Sequence, residues 1–179
     1  FTPIEHETRT NFIIADTKTS RQTVINAPGP PITKKELERF LKKLEEIQPA
    51  PDLIVASGSV PPGIPSDIYY TMILKAKDQG VRTILDAANQ WLKEGIKAKP
   101  YLIKPNVHEA EELLGIKLPT EEAIIKAALN LVEMGIEIAV ISRGKEGIIA
   151  ATGGKVFKAV PPPVKVRSKA SWYSLLPRP

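Results

Sequence analysis

Short apolar segments alternate with amphipathic segments along most of this chain, and the alternation limits the folds that the chain can adopt. Four apolar runs have the length and composition of buried strands, namely residues 52–56, 81–85, 101–103 and 136–141. The segments between them carry helix start and stop signals; they are residues 66–79, 89–96, 107–114 and 121–134. Strands that alternate with helices form right-handed βαβ crossovers. The sequence therefore predicts an α/β fold with a mainly parallel sheet that helices cover on both faces.

The segments that flank this alternating region predict two hairpins and one capped helix. Residues 8–25 have the pattern of two short strands around a polar turn. Thr33 and Glu36 have the spacing of a capping box, which marks the start of a helix. Residues 148–159 predict a second hairpin, because the Gly153-Gly154 pair in its middle is typical of a tight turn.

Composition and charge exclude several classes of protein. The 179 residues are 42% hydrophobic and 25% charged, which is typical of a globular protein of one domain, and no apolar run is long enough to span a membrane. The absence of Cys excludes disulfides and thiolate metal sites and predicts a cytoplasmic location. Six basic residues and no acidic residue lie in 155–179, so the net charge of +5 leaves about −1 for the rest of the chain. A nucleic-acid partner is therefore not expected for the body of the protein.

Three predicted strands are followed by loops of small and polar residues. The loops are S-G-S-V-P-P-G at 57–63, K-P-N-V-H-E at 104–109 and S-R-G-K-E-G at 142–147. Because the carboxyl ends of parallel strands meet at one edge of a sheet, the loops are expected at the edge where open α/β sheets bind ligands. Glycines and hydroxyls there suit an anion cradle. Each loop also has a plain explanation, namely a βα turn, a helix capped by Asn106 and Glu109, and a turn between strands.

Five motifs in a fixed order make the chain resemble a known family. They are T-R-T-N at 8–11, P-G-P at 28–30 and the three loops above. The chain resembles the PfkB, or ribokinase-like, carbohydrate kinases over residues 8 to about 166, and especially 1-phosphofructokinase and tagatose-6-phosphate kinase. The resemblance implies a ribokinase-like three-layer α/β/α sandwich with a mainly parallel sheet and a remnant β-lid at 8–25. It also implies a partial kinase domain at 1–160 and an atypical Pro-rich basic tail at 161–179.

The resemblance implies a role for each motif residue. Residues expected to bind the sugar phosphate are Arg9, Asn11, Ser57, Gly58 and Ser59. Residues expected to bind the nucleotide are Lys104, Asn106, Ser142, Arg143, Gly144 and Gly147. Glu109 is expected to organise Mg²⁺ through water. Asp86, at the end of a strand, is a further candidate for the pocket, and His108 is expected on the surface of a helix. The implied ligands are ATP, Mg²⁺ and a sugar phosphate, with no membrane partner, and a homo-oligomer is compatible with the family.

The sequence departs from the family pattern in two places. The family's glycine-rich sugar-binding motif precedes the lid, and the chain begins after that point. The family also has G-A-G-D, which supplies an anion hole and a general base, where this chain has Ala170-Ser171-Trp172-Tyr173 after an expected strand at 164–166. Tyr173 stands at the position of the base, and a phenol with a pKa near 10 is a poor base at neutral pH.

These departures lead to three functional hypotheses. The leading one is an ATP-dependent kinase of fructose 1-phosphate or a related hexose phosphate, of which this chain is a truncated and inactive form. The alternative is a non-catalytic nucleotide-binding or interaction protein that derives from a kinase. The third is nucleic-acid binding by the basic tail, where Trp172 and Tyr173 could stack on bases. It is the least favoured, because basic residues in a Pro-rich tail are usually solvated.

Overall fold

A computed structural model describes residues 1–16, 18–19 and 21–162, and in them it contains a small hairpin and one larger sheet. Strands β1 (Phe12–Asp16) and β2 (Arg21–Ile25) pair antiparallel and form the hairpin. The strands of the larger sheet are β3 (Leu53–Ser57), β4 (Arg82–Asp86), β5 (Leu102–Ile103), β6 (Ile138–Ser142), β7 (Ile148–Thr152) and β8 (Lys155–Ala159). They lie in sequence order, with β3 to β6 parallel and β7 and β8 antiparallel. The predicted α/β fold with a mainly parallel sheet is confirmed.

The α-helices of the described residues begin and end close to the predicted positions. They are α1 (Lys34–Glu45), α2 (Ile68–Asp78), α3 (Asn89–Gly95), α4 (Val107–Leu114) and α5 (Glu121–Glu133). Helix α3 continues into a 3₁₀ turn at Ile96–Ala98. The capping box at Thr33 and Glu36 is formed in both directions, and Gly115 ends α4 with a φ of +68°. None of these helices has the length and apolarity needed to span a membrane, as far as the structure describes the chain.

Within the described residues, the helices pack against one face of the sheet. The side chains on that face are buried and form one core with the helices; they include Ala56, Leu85, Ile103, Ala139, Ile141, Ile149 and Ala151. The physical reason is the strand order. When parallel strands follow one another across a sheet, right-handed crossovers place every connecting helix on the same side.

The other face of the sheet is apolar and open within the described residues. Val55, Ile84, Leu102 and Ile138 form a continuous row across β3 to β6. The side chain of Val55 is 59% exposed, and Phe157 on β8 is 55% exposed. An apolar surface of this extent on a sheet marks a face that another layer is able to cover.

The N-terminal residues contact α1, and Glu36 in the capping box of that helix holds them. Glu36 is almost fully buried, and its carboxylate accepts hydrogen bonds from the Thr33 backbone and hydroxyl and from the Glu5 backbone N–H, at 2.7 Å each. Because these donors, above all those of Thr33, favour the charged form, they lower the pKa of Glu36 from 4.5 to about 2.

Candidate functional site

The three motif loops meet at the carboxyl edge of the sheet, as the sequence predicted. Ser57 pairs with Asp86 at the ends of β3 and β4. Asn106 forms an isolated parallel bridge with Ser142, and the Ser142 N–H donates to the Pro105 carbonyl at 2.9 Å. The parallel ladder therefore fixes the relative positions of the loops that follow β3, β4, β5 and β6.

Arg9 and Ser59 meet beside a cavity at the base of the β1–β2 hairpin. The Arg9 Nη2 donates to Ser59 Oγ at 2.6 Å, although the two residues are 50 positions apart. Both line a cavity of about 510 Å³ whose wall is completed by Trp91 and by residues 26–28 and 60–64. A guanidinium held over a cavity of this size can pair with the phosphate of a small ligand.

Asn11 supports the shape of the chain near this cavity. Its side-chain Oδ1 accepts a hydrogen bond from the Ala27 N–H at 3.1 Å, which joins the start of the hairpin to the segment that leaves it. Gly29 follows with a φ of +83°, and a Cβ there would lie 3.7 Å from the Arg9 side chain. Asn11 is thus held by the backbone next to Arg9 and is not among the residues that line the cavity.

Ser57 and Gly58 are tied to Asp86 on the neighbouring strand. Ser57 Oγ lies 3.5 Å from Asp86 Oδ2, and the Gly58 N–H donates to the Asp86 carbonyl at 3.2 Å. The Tyr69 hydroxyl donates to the Gly58 carbonyl at 2.8 Å, and burial, with a smaller contribution from Asp86, raises the pKa of this phenol. Gly58 has a φ of +105° and nothing within 4 Å of the place of a Cβ, so its backbone is open to a ligand.

Asp86 also joins this side of the edge to Lys104. Lys104 Nζ lies 3.1 Å from Asp86 Oδ1, and both side chains are partly exposed. The Lys104 N–H donates to the Leu85 carbonyl at 3.2 Å, which continues the ladder one residue beyond β5. Asp86 thus lies between the two halves of the edge, and its role as a pocket residue stays a prediction.

Asn106 and Glu109 form the capping box of α4. The Asn106 N–H donates to Glu109 Oε2 at 2.8 Å, and the Glu109 N–H donates to Asn106 Oδ1 at 2.9 Å. The helix cap that the sequence predicted for this loop is therefore formed. Within the described part of the chain, no donor contacts Glu109 Oε1. His108 is exposed on α4, and its Nδ1 lies 3.8 Å from Glu111 Oε2. This agrees with its expected place on the helix surface.

The described residues contain no group of three or more His, Cys, Asp or Glu side chains that could hold a metal ion directly. A single carboxylate with one uncommitted oxygen fits Mg²⁺, because this ion keeps several water ligands and is held by few protein groups together with phosphates. Glu109 therefore fits a contact to Mg²⁺ through water and does not fit a site built from protein ligands alone.

The loop at 142–147 is closed by its own backbone and by one buried cation. The Arg143 N–H donates to the Gly147 carbonyl at 2.8 Å. Its guanidinium points toward Glu121 at the start of α5, with Nη1 at 2.6 Å from Oε2, and the side chain is only 7% exposed. A hydrogen bond from Lys158, and a smaller contribution from Arg143, lower the pKa of Glu121. Gly144 and Gly147 have φ of +59° and +86° and so adopt conformations that favour glycine.

Three residues near the edge were not predicted as parts of the site: Trp91, Tyr69 and Glu121. Trp91 lies in the first turn of α3, which follows the strand that ends at Asp86, and an aromatic residue near a strand-to-helix junction is a signal that could have identified it. Tyr69 and Glu121 carry no such signal, because their contacts join residues that are distant in the sequence. The expected strand at 164–166 and the positions around Tyr173 lie outside the described residues.

The arrangement of strands, helices and hairpin is that of a ribokinase-like carbohydrate kinase. Residues 1–169 match the pfkB family of carbohydrate kinases. The chain is 31% identical over 166 residues to 1-phosphofructokinase of Bacillus subtilis and 37% identical over 169 residues to tagatose-6-phosphate kinase of Staphylococcus epidermidis. Each alignment covers 93% of this chain and 54% of the relative. The chain belongs to the pfkB family.

Solved structures agree with this assignment. Phosphofructokinase-2 from Escherichia coli in complex with fructose-6-phosphate superposes with a TM-score of 0.82 at 28% identity, over 88% of this chain and 52% of that chain. A 1-phosphofructokinase candidate from Thermotoga maritima superposes with a TM-score of 0.78 at 30% identity. The predicted family and the ribokinase-like fold are confirmed, and the chain spans about half the length of the curated relatives that it matches.

Proposed function

We propose that this chain forms part of an ATP-dependent kinase that phosphorylates a hexose phosphate, such as fructose 1-phosphate. The observation that carries the proposal is the order of groups along one sheet edge. Arg9 stands over a cavity of about 510 Å³, and Lys104 stands on the other side of Asp86 at the same edge. A kinase of a phosphorylated sugar needs two anion sites side by side, one for the substrate's phosphate and one for the nucleotide.

The cavity side would bind the sugar phosphate. Arg9 would pair with its phosphate, because a planar guanidinium forks onto two phosphate oxygens. Ser59 already orients Arg9 through the 2.6 Å hydrogen bond, and Ser57 and Gly58 would offer a hydroxyl and an open backbone. Asn11 would act by fixing the chain beside Arg9.

The other side would bind the phosphates of ATP. Lys104 would provide the cation, and Asn106 and Ser142 would lie beside it at the bridge between β5 and β6. Arg143, Gly144 and Gly147 would shape the loop that holds the nucleotide. Glu109 would contact Mg²⁺ through water, and the ion would neutralise charge on the transferring phosphoryl group.

Residues 1–179 by themselves are proposed to be inactive in phosphoryl transfer. The support is the sequence Ala170-Ser171-Trp172-Tyr173 at the place where the resemblance expects an anion hole and a general base. The alternative is a non-catalytic nucleotide-binding or interaction protein, which is favoured by the presence of the nucleotide-facing motifs without that segment. We further propose that residues 1–160 form a kinase domain followed by a basic tail, that the protein is cytoplasmic, and that it forms a homo-oligomer. A tetrameric inhibited form is known for phosphofructokinase-2 of Escherichia coli.

Calorimetric titration of the chain with fructose 1-phosphate and with ADP–Mg²⁺ tests the two anion sites separately. Arg9→Met is expected to weaken the sugar phosphate and Lys104→Met the nucleotide, each by about tenfold or more, because a hydrogen bond to a charged group contributes about 1.5–3 kcal/mol. Lys126→Met, an exposed cation on the middle of α5, is the matched control and should change neither affinity. Equal losses from Lys126→Met, or no binding of either ligand, would count against the proposal. A coupled assay of ATP consumption then separates the two candidates, since turnover above background excludes the inactive form.

A further inference from the structure

One partly exposed carboxylate joins the loop at 142–147 to two other elements of the fold. Glu121, the first residue of α5, accepts from Arg143 Nη1 at 2.6 Å and from Lys158 Nζ on β8 at 2.7 and 2.9 Å. Arg143 Nη2 also lies 3.4 Å from both the carbonyl and the carboxylate of Glu146. The loop after β6, the start of α5 and strand β8 are therefore connected through a single charge cluster.

The Arg143 side chain is committed to this cluster. Only 7% of this side chain is exposed, so Glu121 and Glu146 stabilise its charge where water would otherwise do so. The carboxylate of Glu121 also lies in the first turn of α5, where the helix dipole favours a negative charge. Movement of the guanidinium to a ligand at the sheet edge would break its contact with Glu121 and leave that carboxylate to Lys158 alone.

The cluster is not arranged for maximum stability. Arg143 Nε is buried and has no acceptor within the described residues, which lowers stability. Well-packed apolar side chains often stabilise a protein as much as a buried ion pair does, or more. A charged residue at this position is better explained by the geometry that it imposes on the loop.

We propose that Arg143 is a positioning residue for the nucleotide loop, and that it acts through Glu121 instead of touching the nucleotide. The loop's own bonds are short-range: Arg143 N–H to the Gly147 carbonyl at 2.8 Å, Glu146 N–H to the Arg143 carbonyl at 3.2 Å and Gly147 N–H to the Gly144 carbonyl at 3.1 Å. They define the shape of the turn and not its direction. The contacts of Arg143 and Lys158 with Glu121 fix that direction against α5 and β8. The inference rests on the proposed nucleotide site, which it deepens.

Substitution of Glu121 distinguishes positioning from direct contact. If Arg143 positions the loop, Glu121→Gln and Arg143→Leu both loosen it and both weaken ADP. If the guanidinium touches the nucleotide, Glu121→Gln frees it, so that ADP binding is retained or strengthened while Arg143→Leu weakens it. Arg143→Lys keeps the charge and loses the planar fork, so positioning predicts an intermediate effect.

Hydrogen–deuterium exchange and ADP–Mg²⁺ calorimetry on the full chain provide the two measurements. Exchange in peptides that cover 142–147 is expected to rise by about tenfold or more in Arg143→Leu and Glu121→Gln, because both variants remove the ion pair that joins the loop to α5. ADP affinity is expected to fall by about tenfold in the same two variants, since tenfold corresponds to about 1.4 kcal/mol. Glu111→Gln is the control. It breaks another ion pair, to Lys117 at 2.8 Å, and should leave the loop unchanged.

The outcomes separate this inference from the proposed function. Unchanged exchange at 142–147 in both variants overturns the positioning role, and so does loss of ADP affinity in Arg143→Leu alone. If the unaltered chain binds no ADP, the nucleotide part of the proposed function fails, while the exchange data still decide whether Arg143 holds the loop. If Arg143→Leu does not fold, Arg143→Lys and Glu121→Gln carry the same test.

Discussion

Gly147 is the position where one added methyl group should most destabilise the loop at 142–147. Its backbone has φ +86° and ψ −138°, a combination that costs a residue with a Cβ about 1–3 kcal/mol. A Cβ would also lie 1.9 Å from the Ala159 carbonyl oxygen and 2.9 Å from Val160 Cα, so backbone of β8 and the residue after it would have to move. Overpacking of this kind typically costs a further 1–3 kcal/mol or so. Gly147→Ala is therefore expected to lower the free energy of unfolding by about 3 kcal/mol or more.

Gly154→Ala provides a matched control. Gly147 contacts the last residue of β8, and Gly154 directly precedes its first residue. Gly154 has a similar φ of +74°, but nothing lies within 4 Å of the place of a Cβ. Only backbone strain remains there, about 1–2 kcal/mol. Urea denaturation followed by circular dichroism measures both variants. In thermal unfolding the gap should appear as a difference in Tm of roughly 5 °C, since about 2–4 °C corresponds to 1 kcal/mol for a chain of this size. Equal stabilities of the two variants would show that the contact with β8 does not constrain the loop.

Three further predictions address other parts of the molecule. The low pKa of Glu36, about 2, predicts a contribution to stability that is complete above pH 4.5 and is lost as the pH falls through about 2. When unfolding is measured at decreasing pH, the difference in free energy of unfolding between the unaltered chain and Glu36→Gln should shrink below pH 4.5, and a constant difference would contradict this. Val55→Thr on the open face should change the free energy of unfolding by less than about 0.5 kcal/mol, whereas the same threonine in place of the buried Ile141 should cost about 2 kcal/mol or more; similar losses would mean that the open face is covered in solution. Fructose 1-phosphate should change the fluorescence of Trp91 in a Trp172→Phe background, and calorimetric binding without any spectral change would place the ligand elsewhere.

Local signals in the sequence predicted elements, and they worked best where periodicity and capping agree. Helix α4 was predicted over 107–114 and occupies those residues, because Asn106 and Gly115 mark both ends. Strands were displaced by about one residue: 81–85 was predicted, and Arg82–Asp86 is observed. Apolar runs identify buried side chains and so end before the strand does. The pairing of β3 with β4 continues for one more residue, onto the polar pair Ser57 and Asp86 at the carboxyl edge of the sheet.

Two properties of the molecule depend on geometry that no local pattern contains. The alternation of strands and helices does not specify strand order, and order decides whether the crossover helices occupy one face or two. The motif loops were correctly predicted to share an edge, but the direction of a side chain within a loop was not predictable. Arg143 looks like an anion-binding residue in the sequence, and only its contact with Glu121, 22 positions earlier, shows where its charge is used.

Two of the motif cations, Lys104 and Arg143, differ in how easily each can leave its partner. Lys104 and Asp86 are 46% and 36% exposed, and an ion pair that is this open to water contributes little. A nucleotide phosphate could therefore take Lys104 from Asp86 at small cost, and salt should weaken that interaction. Arg143 is 7% exposed, and its two terminal nitrogens contact Glu121 and Glu146, so the loss of these partners would leave a buried charge unpaired. An exchangeable ammonium suits a group that binds and releases a phosphate, whereas a fixed guanidinium suits a group that keeps the loop in place while the ligand comes and goes.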